Sequence, residues 1–203
     1  MKGLYLVTPD WDDTDKLLAA TEQGLQAGAS LLQYRHKTAS EALQQEQAKA
    51  LLALCRRYRV PFIINDHLTL CELIDADGLH VGGTDASVAA VRSLLGKDKI
   101  VGASCYGDLE LARHSAAAGA SYVAFGGFYP SRVKKYAVTT QPDILTRARA
   151  ELTLPFCVIG GMSVENARPL VALGADMVAA ISSVYQATDP CAAAREFVHL
   201  YSS

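Results

Sequence analysis

No two cysteines in this chain stand at metal-ligand spacing. The five present, Cys55, Cys71, Cys105, Cys157 and Cys191, are odd in number and lack any C-x-x-C pair, which argues against a disulfide framework or a zinc site and makes most of them small core residues. Charge of one sign is also missing. A formal charge of −2 and an aromatic content of 7% give no bulk attraction for nucleic acid or an anionic membrane, so any phosphate binding must be local. Long apolar runs are absent too: none approaches transmembrane length, and the first one meets Thr8-Pro9-Asp10 after too few residues for a signal peptide. The expectation is a cytoplasmic protein. No Ser-His-Asp or Cys-His constellation is recognisable, and neither low-complexity stretches nor charge runs interrupt the chain.

What the sequence does have is rhythm. Its 203 residues, half of them hydrophobic and a fifth charged, suffice for one substantial core. Apolar runs at residues 4–7, 31–35, 62–65, 78–81, 100–104, 122–125, 156–159 and 177–181 alternate with helical patterns, the signature of βα units and a parallel sheet. Ala48, Leu51, Leu52 and Cys55 mark one helix by their spacing, and Ala167, Leu170, Val171 and Gly174 another. Gly28-Ala29-Ser30, Gly119-Ala120-Ser121 and Gly174-Ala175-Asp176 each follow a helical pattern and precede a strand, with glycine ending the helix and the next two residues turning the chain. Eight such units fit an α/β fold of one compact domain, residues 1–203, as a minimal (β/α)₈ TIM barrel; the rival is an open doubly wound sheet. In both, function lies at the carboxyl ends of the strands.

Those ends are rich in polar residues. Asn65-Asp66 follows the third strand, and Gly82-Gly83-Thr84-Asp85 the fourth. Adjacent parallel strands lie about 4.8 Å apart, so Asp66 and Asp85 can face one point. Two carboxylates and an amide suit a hard divalent cation, magnesium rather than zinc; alternatively each Asp caps the helix behind it. Strand 2 ends in Gln33-Tyr34-Arg35-His36-Lys37. Alternation turns Gln33 and Arg35 to one side and frees Lys37, cations that imply a polyanion, while His36 reads as a loop histidine. Ser104 puts a hydroxyl at the rim, or serves as a turn or cap residue. Nothing near Cys105 would activate it as a nucleophile. Residues 126–136 form a long, basic, glycine-bracketed loop of the kind that closes over an anion, although Phe128 and Tyr129 would be odd in a loop wholly in solvent. Gly160-Gly161 and Ile181-Ser182-Ser183 offer backbone amides at the last two units, a phosphate cradle. Two anion sites suggest two phosphorylated ligands.

Taken together and in order, Gln33-Tyr34-Arg35-x-Lys37, Ile64-Asn65-Asp66, Ala76 to Gly82 followed by Asp85, Gly102-x-Ser104, Tyr122 to Gly126, Phe128-Tyr129-Pro130-Ser131-x-x-Lys134, Ile159 to Met162 and Ile181-Ser182 resemble the thiamine phosphate synthase family. The resemblance implies a TIM barrel that joins 4-amino-2-methyl-5-(diphosphooxymethyl)pyrimidine to a thiazole phosphate with release of diphosphate. It implies pyrimidine diphosphate contacts at Gln33, Tyr34, Arg35, His36, Lys37, Asn65, Ser104 and Lys134, and thiazole phosphate contacts at Ser131, Arg132, Val133, Gly161, Ile181 and Ser182. Mg²⁺ would sit on Asp66 and Asp85, and Arg35, Lys37, Lys134 and Ser104 would act in catalysis. It favours a dissociative route in which the departing diphosphate is stabilised before the thiazole nitrogen adds, with no protein nucleophile. The expected partners are small phosphorylated molecules rather than nucleic acid or membrane, with a homo-oligomer left open. Three positions depart from the family's habit: Val133 replaces a lid threonine, Gly83 a frequent Gln, and Tyr106 a frequent His. A related thiazole tautomerase and a non-catalytic phosphate-binding homologue are the alternatives; Gly127 where the former tends to place a histidine, and retention of Arg35, Lys37, Asp66, Asp85 and Lys134, speak against them.

Overall fold

A computed structural model of the chain describes residues 1–82, 87–130 and 140–202. Eight strands, β1 (Gly3–Val7), β2 (Leu31–Tyr34), β3 (Phe62–Asn65), β4 (Gly78–Val81), β5 (Ile100–Tyr106), β6 (Tyr122–Phe125), β7 (Phe156–Val158) and β8 (Met177–Ala180), pair in parallel and in sequence order. The last pairs with the first, Leu4 opposite Val178 and Leu6 opposite Ala180, so the sheet closes into a (β/α)₈ barrel. Around it run α1 (Thr14–Gln26), α2 (Glu41–Tyr58), α3 (Leu68–Ile74), α4 (Val88–Leu95), α5 (Leu109–Ala117), α6 (Asp143–Arg149), α7 (Val164–Ala172), α8 (Ser182–Tyr185) and α9 (Pro190–His199). No described helix is long and apolar enough to cross a membrane. The expected strands match at β3, β4 and β6; β5 runs on to Tyr106 through an irregularity between Ser104 and Tyr106, and β2 stops at Tyr34.

Side chains on successive strand residues take opposite faces, and closure makes one face the barrel interior. Tyr5, Val7, Leu31, Ile63, Tyr122, Ala124, Cys157, Met177 and Ala179 form the inner cluster. Leu4, Leu6, Leu32, Phe62, Ile64, Leu79, Val101, Val123, Phe125, Phe156 and Val178 belong to the larger outer core shared with the helices. Strands buried on both faces read as the continuous apolar runs seen in the sequence. From the helices come Leu17 and Leu25 of α1, Leu51, Leu52 and Cys55 of α2, and Ala167 and Leu170 of α7, all buried. Gly174 is a correction: it lies beyond the end of α7, in the turn, at φ 102°.

The Gly-Ala-polar repeat has a physical basis that spacing did not reveal. Glycine takes the left-handed conformation after the helix, and the next residue's N–H reaches back to an earlier helical carbonyl, Ala29 to Gly24 O, Ala120 to Ser115 O and Ala175 to Leu170 O. The polar residue then ties the new strand to its predecessor. Ser121 Oγ accepts from Val101 N at 3.0 Å, Asp176 Oδ2 from Phe156 N at 2.8 Å, and, without the glycine, Asp77 Oδ2 from Phe62 N at 2.8 Å. Each bond satisfies an N–H at the foot of a buried strand. Asp77→Ala leaves the Phe62 N–H without its acceptor and should lower unfolding stability by about 1–3 kcal/mol, whereas Asp77→Asn keeps a carbonyl acceptor and should recover most of it. Urea midpoints of the three proteins check this, and equal midpoints for wild type and Asp77→Ala would mean that the bond contributes nothing.

Candidate active site

The β3–β4 pairing sets Asn65 opposite His80, and Asp66 stands just past it at the carboxyl-end rim. Asp66 has φ 60°, a conformation that Asp and Asn tolerate better than other side-chain-bearing residues. Its N–H bonds His80 O at 2.9 Å, Oδ1 accepts from Gly82 N at 2.9 Å and Oδ2 accepts from Asn65 Nδ2 at 2.8 Å. A side chain at Gly82 would begin 3.2 Å from Asp66 Oδ1, so glycine there lets the carboxylate come close. Asp66 is not a helix cap: α3 starts at Leu68 behind His67, with no side-chain cap. At the other carboxylate, Ser87 Oγ caps α4 by accepting from Ala90 N. Asp85 itself lies outside the described residues.

Strand 2 brings the cations to the same rim. Arg35 is 6% exposed and is clamped through its backbone, its N–H donating to Thr8 Oγ1 at 2.8 Å while Thr8 Oγ1 donates to Arg35 O at 3.0 Å. Arg35 Nη1 donates to Asp10 Oδ1 and Oδ2 at 3.2 and 3.3 Å, and Arg35 Nε is buried with no hydrogen-bond partner among the described residues. Lys37 N donates to Asp10 Oδ1 at 3.1 Å, and its half-exposed side chain ends 3.9 Å from Asp66 Oδ2. Asp10 is thus the residue that orders this corner, and motif reading passed over it. The available signal was its place three residues beyond β1, the same rule that found the others.

Two residues of strand 2's motif are not brought to the mouth. Tyr34 alternates outward, where its hydroxyl donates to Gln47 Oε1 of α2 at 2.9 Å. His36 is not a solvated loop residue either: its side chain is fully buried, with Nε2 3.0 Å from Asp12 Oδ1 and Nδ1 accepting from Ala39 N at 3.2 Å. It fastens the loop after β2 to the loop after β1.

Ser104 is no cap, since Asp108 caps α5; its Oγ lies inside the barrel, 2.9 Å from His80 Nε2. Gln33 points into the same space and donates to Tyr5 Oη at 2.7 Å. Cys105 is buried, with its thiol pushed up to about 11 by that burial, which leaves it unreactive.

On the opposite side the β6–β7 ladder continues into the loops, Phe128 N to Ile159 O and Tyr129 N to Gly160 O. A side chain at Gly161 would begin 2.3 Å from Pro130 O, so this glycine serves the close approach of two loops as well as its positive φ of 59°. Phe128 is buried, and Tyr129 Oη donates to Asn166 O at 3.2 Å, which explains their presence in the loop. Ser182 begins α8, and Ile181 packs on the inner cluster. Ser131, Arg132, Val133 and Lys134 lie outside the described residues, as do Gly83 and most of the expected lid. Among the described residues no three His, Cys, Asp or Glu side chains gather at metal-holding distance; of the two carboxylates expected to hold a cation they include Asp66, an oxygen donor of the kind that suits a hard cation rather than zinc.

A family model described as thiamine monophosphate synthase matches residues 4–184. Thiamine-phosphate synthase of Janthinobacterium sp. is 68% identical over 202 residues, covering 100% of this chain and 98% of its own. That of Methylobacillus flagellatus is 46% identical over 202 residues, covering 100% and 96%. Among solved structures, thiamine phosphate pyrophosphorylase from Pyrococcus furiosus superposes with a TM-score of 0.86 at 28% identity, covering 98% of this chain and 95% of that one. With a match over nearly its full length in sequence and in fold, the chain belongs to the thiamine monophosphate synthase family.

Proposed function

We propose that the two sides of the barrel mouth divide the thiamine-phosphate synthase reaction between two phosphorylated substrates. The chain is a transferase of this family, acting on small phosphorylated molecules. On the β2–β5 side, Arg35 and Lys37, with Lys134, hold the diphosphate of 4-amino-2-methyl-5-(diphosphooxymethyl)pyrimidine, and Gln33, Asn65 and Ser104 hold its ring and methylene. On the β6–β8 side, Gly161, Ile181 and Ser182, with Ser131, Arg132 and Val133, receive the thiazole phosphate. Asp66 and Asp85 are the residues that would hold Mg²⁺, which when bound neutralises charge on diphosphate oxygens.

The observation that carries this reading is Arg35. A guanidinium almost wholly removed from water, with an Nε that has no partner among the described residues and one carboxylate on Nη1, is set up for a second anion, because an unmet buried donor costs free energy that an oxygen ligand recovers. The pyrimidine's amino group can push electrons toward the methylene as the C–O bond breaks, so what this chain's residues must do is hold the leaving diphosphate and exclude water. Arg35, Lys37 and Lys134 supply fixed positive charge where negative charge grows. The thiazole nitrogen then attacks the carbon, and no side chain forms a covalent bond to substrate.

Turnover of the two substrates, measured with and without magnesium, is the direct test; no thiamine phosphate formed under either condition would refute the reading. Asp66→Asn keeps an oxygen for Gly82 N and a residue type suited to φ 60°, so the fold should persist while most turnover is lost. Asp85→Asn should do the same, and the double variant should be little worse than either single, since both disable one site. Near-normal turnover by Asp85→Asn at low magnesium would remove that residue from the metal site.

Lys134→Ala should lower kcat by roughly 10²-fold or more, as losses of charge-stabilising donors do. Its neighbour Lys135→Ala should matter far less. Equal losses at the two positions would indicate a general basic attraction instead of an assigned contact.

A further inference from the structure

Beneath the rim, five polar side chains from five strands join in one line across the barrel interior. Gln33 Nε2 donates to Tyr5 Oη at 2.7 Å, Tyr5 Oη lies 2.7 Å from Tyr122 Oη, Tyr122 Oη lies 2.8 Å from His80 Nδ1, and His80 Nε2 lies 2.9 Å from Ser104 Oγ. The Tyr122 ring stacks on His80 with centroids 5.6 Å apart and has room to do so because residue 102 is glycine: a Cβ there would sit 2.1 Å from Tyr122 Cζ.

The direction of this line follows from proton counting. An amide nitrogen only donates, and a phenol has one proton to give. Tyr5 therefore accepts from Gln33 and gives its proton to Tyr122, which gives its own to His80 Nδ1. Burial pushes both phenols well above their ordinary range, so each keeps that proton. With Nδ1 accepting from Tyr122, the ring proton stands on Nε2, which donates it to Ser104 Oγ. Gln33 keeps Oε1 as an acceptor, beside the second N–H of its amide, with no partner for that oxygen among the bonds of the described residues, and Ser104 keeps its own O–H directed away from His80.

We propose that Tyr5, Tyr122 and His80 are positioning residues that fix the polarity of the two groups at the ends of the line, so that Gln33 meets the pyrimidine diphosphate as a hydrogen-bond acceptor and Ser104 as a donor. The inference rests on the assignment of Gln33 and Ser104 to that substrate. It matches the substrate's chemistry: the exocyclic amino group has protons to donate, whereas ring nitrogens and diphosphate oxygens only accept. Reversing the line would turn the Gln33 amide and present a donor to the amino group, which leaves like facing like.

Imidazole ¹⁵N shifts and long-range ¹H–¹⁵N couplings read the tautomer directly in the full chain, with His80 assigned among the five histidines by the signal lost in His80→Gln. The expected result is a neutral ring with its proton on Nε2; a proton on Nδ1 overturns the relay. Tyr122→Phe deletes one hydroxyl from the middle of the line. It should mix the two tautomers and raise KM for the pyrimidine diphosphate roughly tenfold, the size of one neutral hydrogen bond, with KM for the thiazole phosphate held within about twofold. An unchanged tautomer, or equal rises in both KM values, overturns the proposal. Should Tyr122→Phe fail to fold, the wild-type spectrum still decides. Wild-type turnover with the proton on Nδ1 refutes the relay and leaves the proposed reaction standing, whereas an Nε2 proton without turnover supports the relay and removes the reaction.

Discussion

Closure of eight parallel strands imposes a parity on every strand residue, and the rest of the molecule depends on it. Once β8 pairs with β1, each strand has one face turned to the axis and one to the helices, and there is no third choice. Gln33 and Tyr34 are neighbours in sequence, yet one reaches Tyr5 inside the barrel and the other reaches Gln47 on α2. The same parity puts His80 and Ser104 inside, and Leu79, Val81 and Ala103 in the outer core. Since the interior lies away from water, polar groups placed there must satisfy one another, and the line from Gln33 to Ser104 is how this barrel meets that requirement.

Charge at the rim obeys a second constraint. A buried cation needs a counter-charge before its ligand arrives, and here Asp10 serves Arg35 through its carboxylate and Lys37 through the backbone, while Asp66 stands 3.9 Å from the Lys37 ammonium. The corner is therefore held together as a mixed cluster of both signs, and an incoming polyanion would join carboxylates already at work.

Much of this was legible in the sequence, for definite reasons. Strand and helix periods survive in the apolar pattern, so β3, β4 and β6 were located to the residue, and the carboxyl-end rule singled out the strand ends at which Gln33, Arg35, Lys37, Asp66 and Ser104 stand. Tyr34 could have been placed correctly, because alternation that turns Gln33 inward must turn Tyr34 out; the family motif overrode the geometry. His36 could not, since its burial depends on Asp12 and Ala39 folding over it from two loops. The contact of Tyr5 with Tyr122 joins residues 117 positions apart, and no local pattern records which inward side chains meet across an axis. Asp10 fell between these cases, at a strand end but in no recognised motif.

The fit of Tyr122 against Gly102 makes two positions, on neighbouring strands, into a shared volume. A methyl group added at residue 102 would enter the Tyr122 ring, and a smaller residue at 122 would leave a void that the glycine cannot fill. Neither site can drift alone without cost. Any homologue or laboratory variant that enlarges one should be found to have shrunk the other, and the aromatic floor of the mouth can migrate to another strand only as a coupled exchange of both.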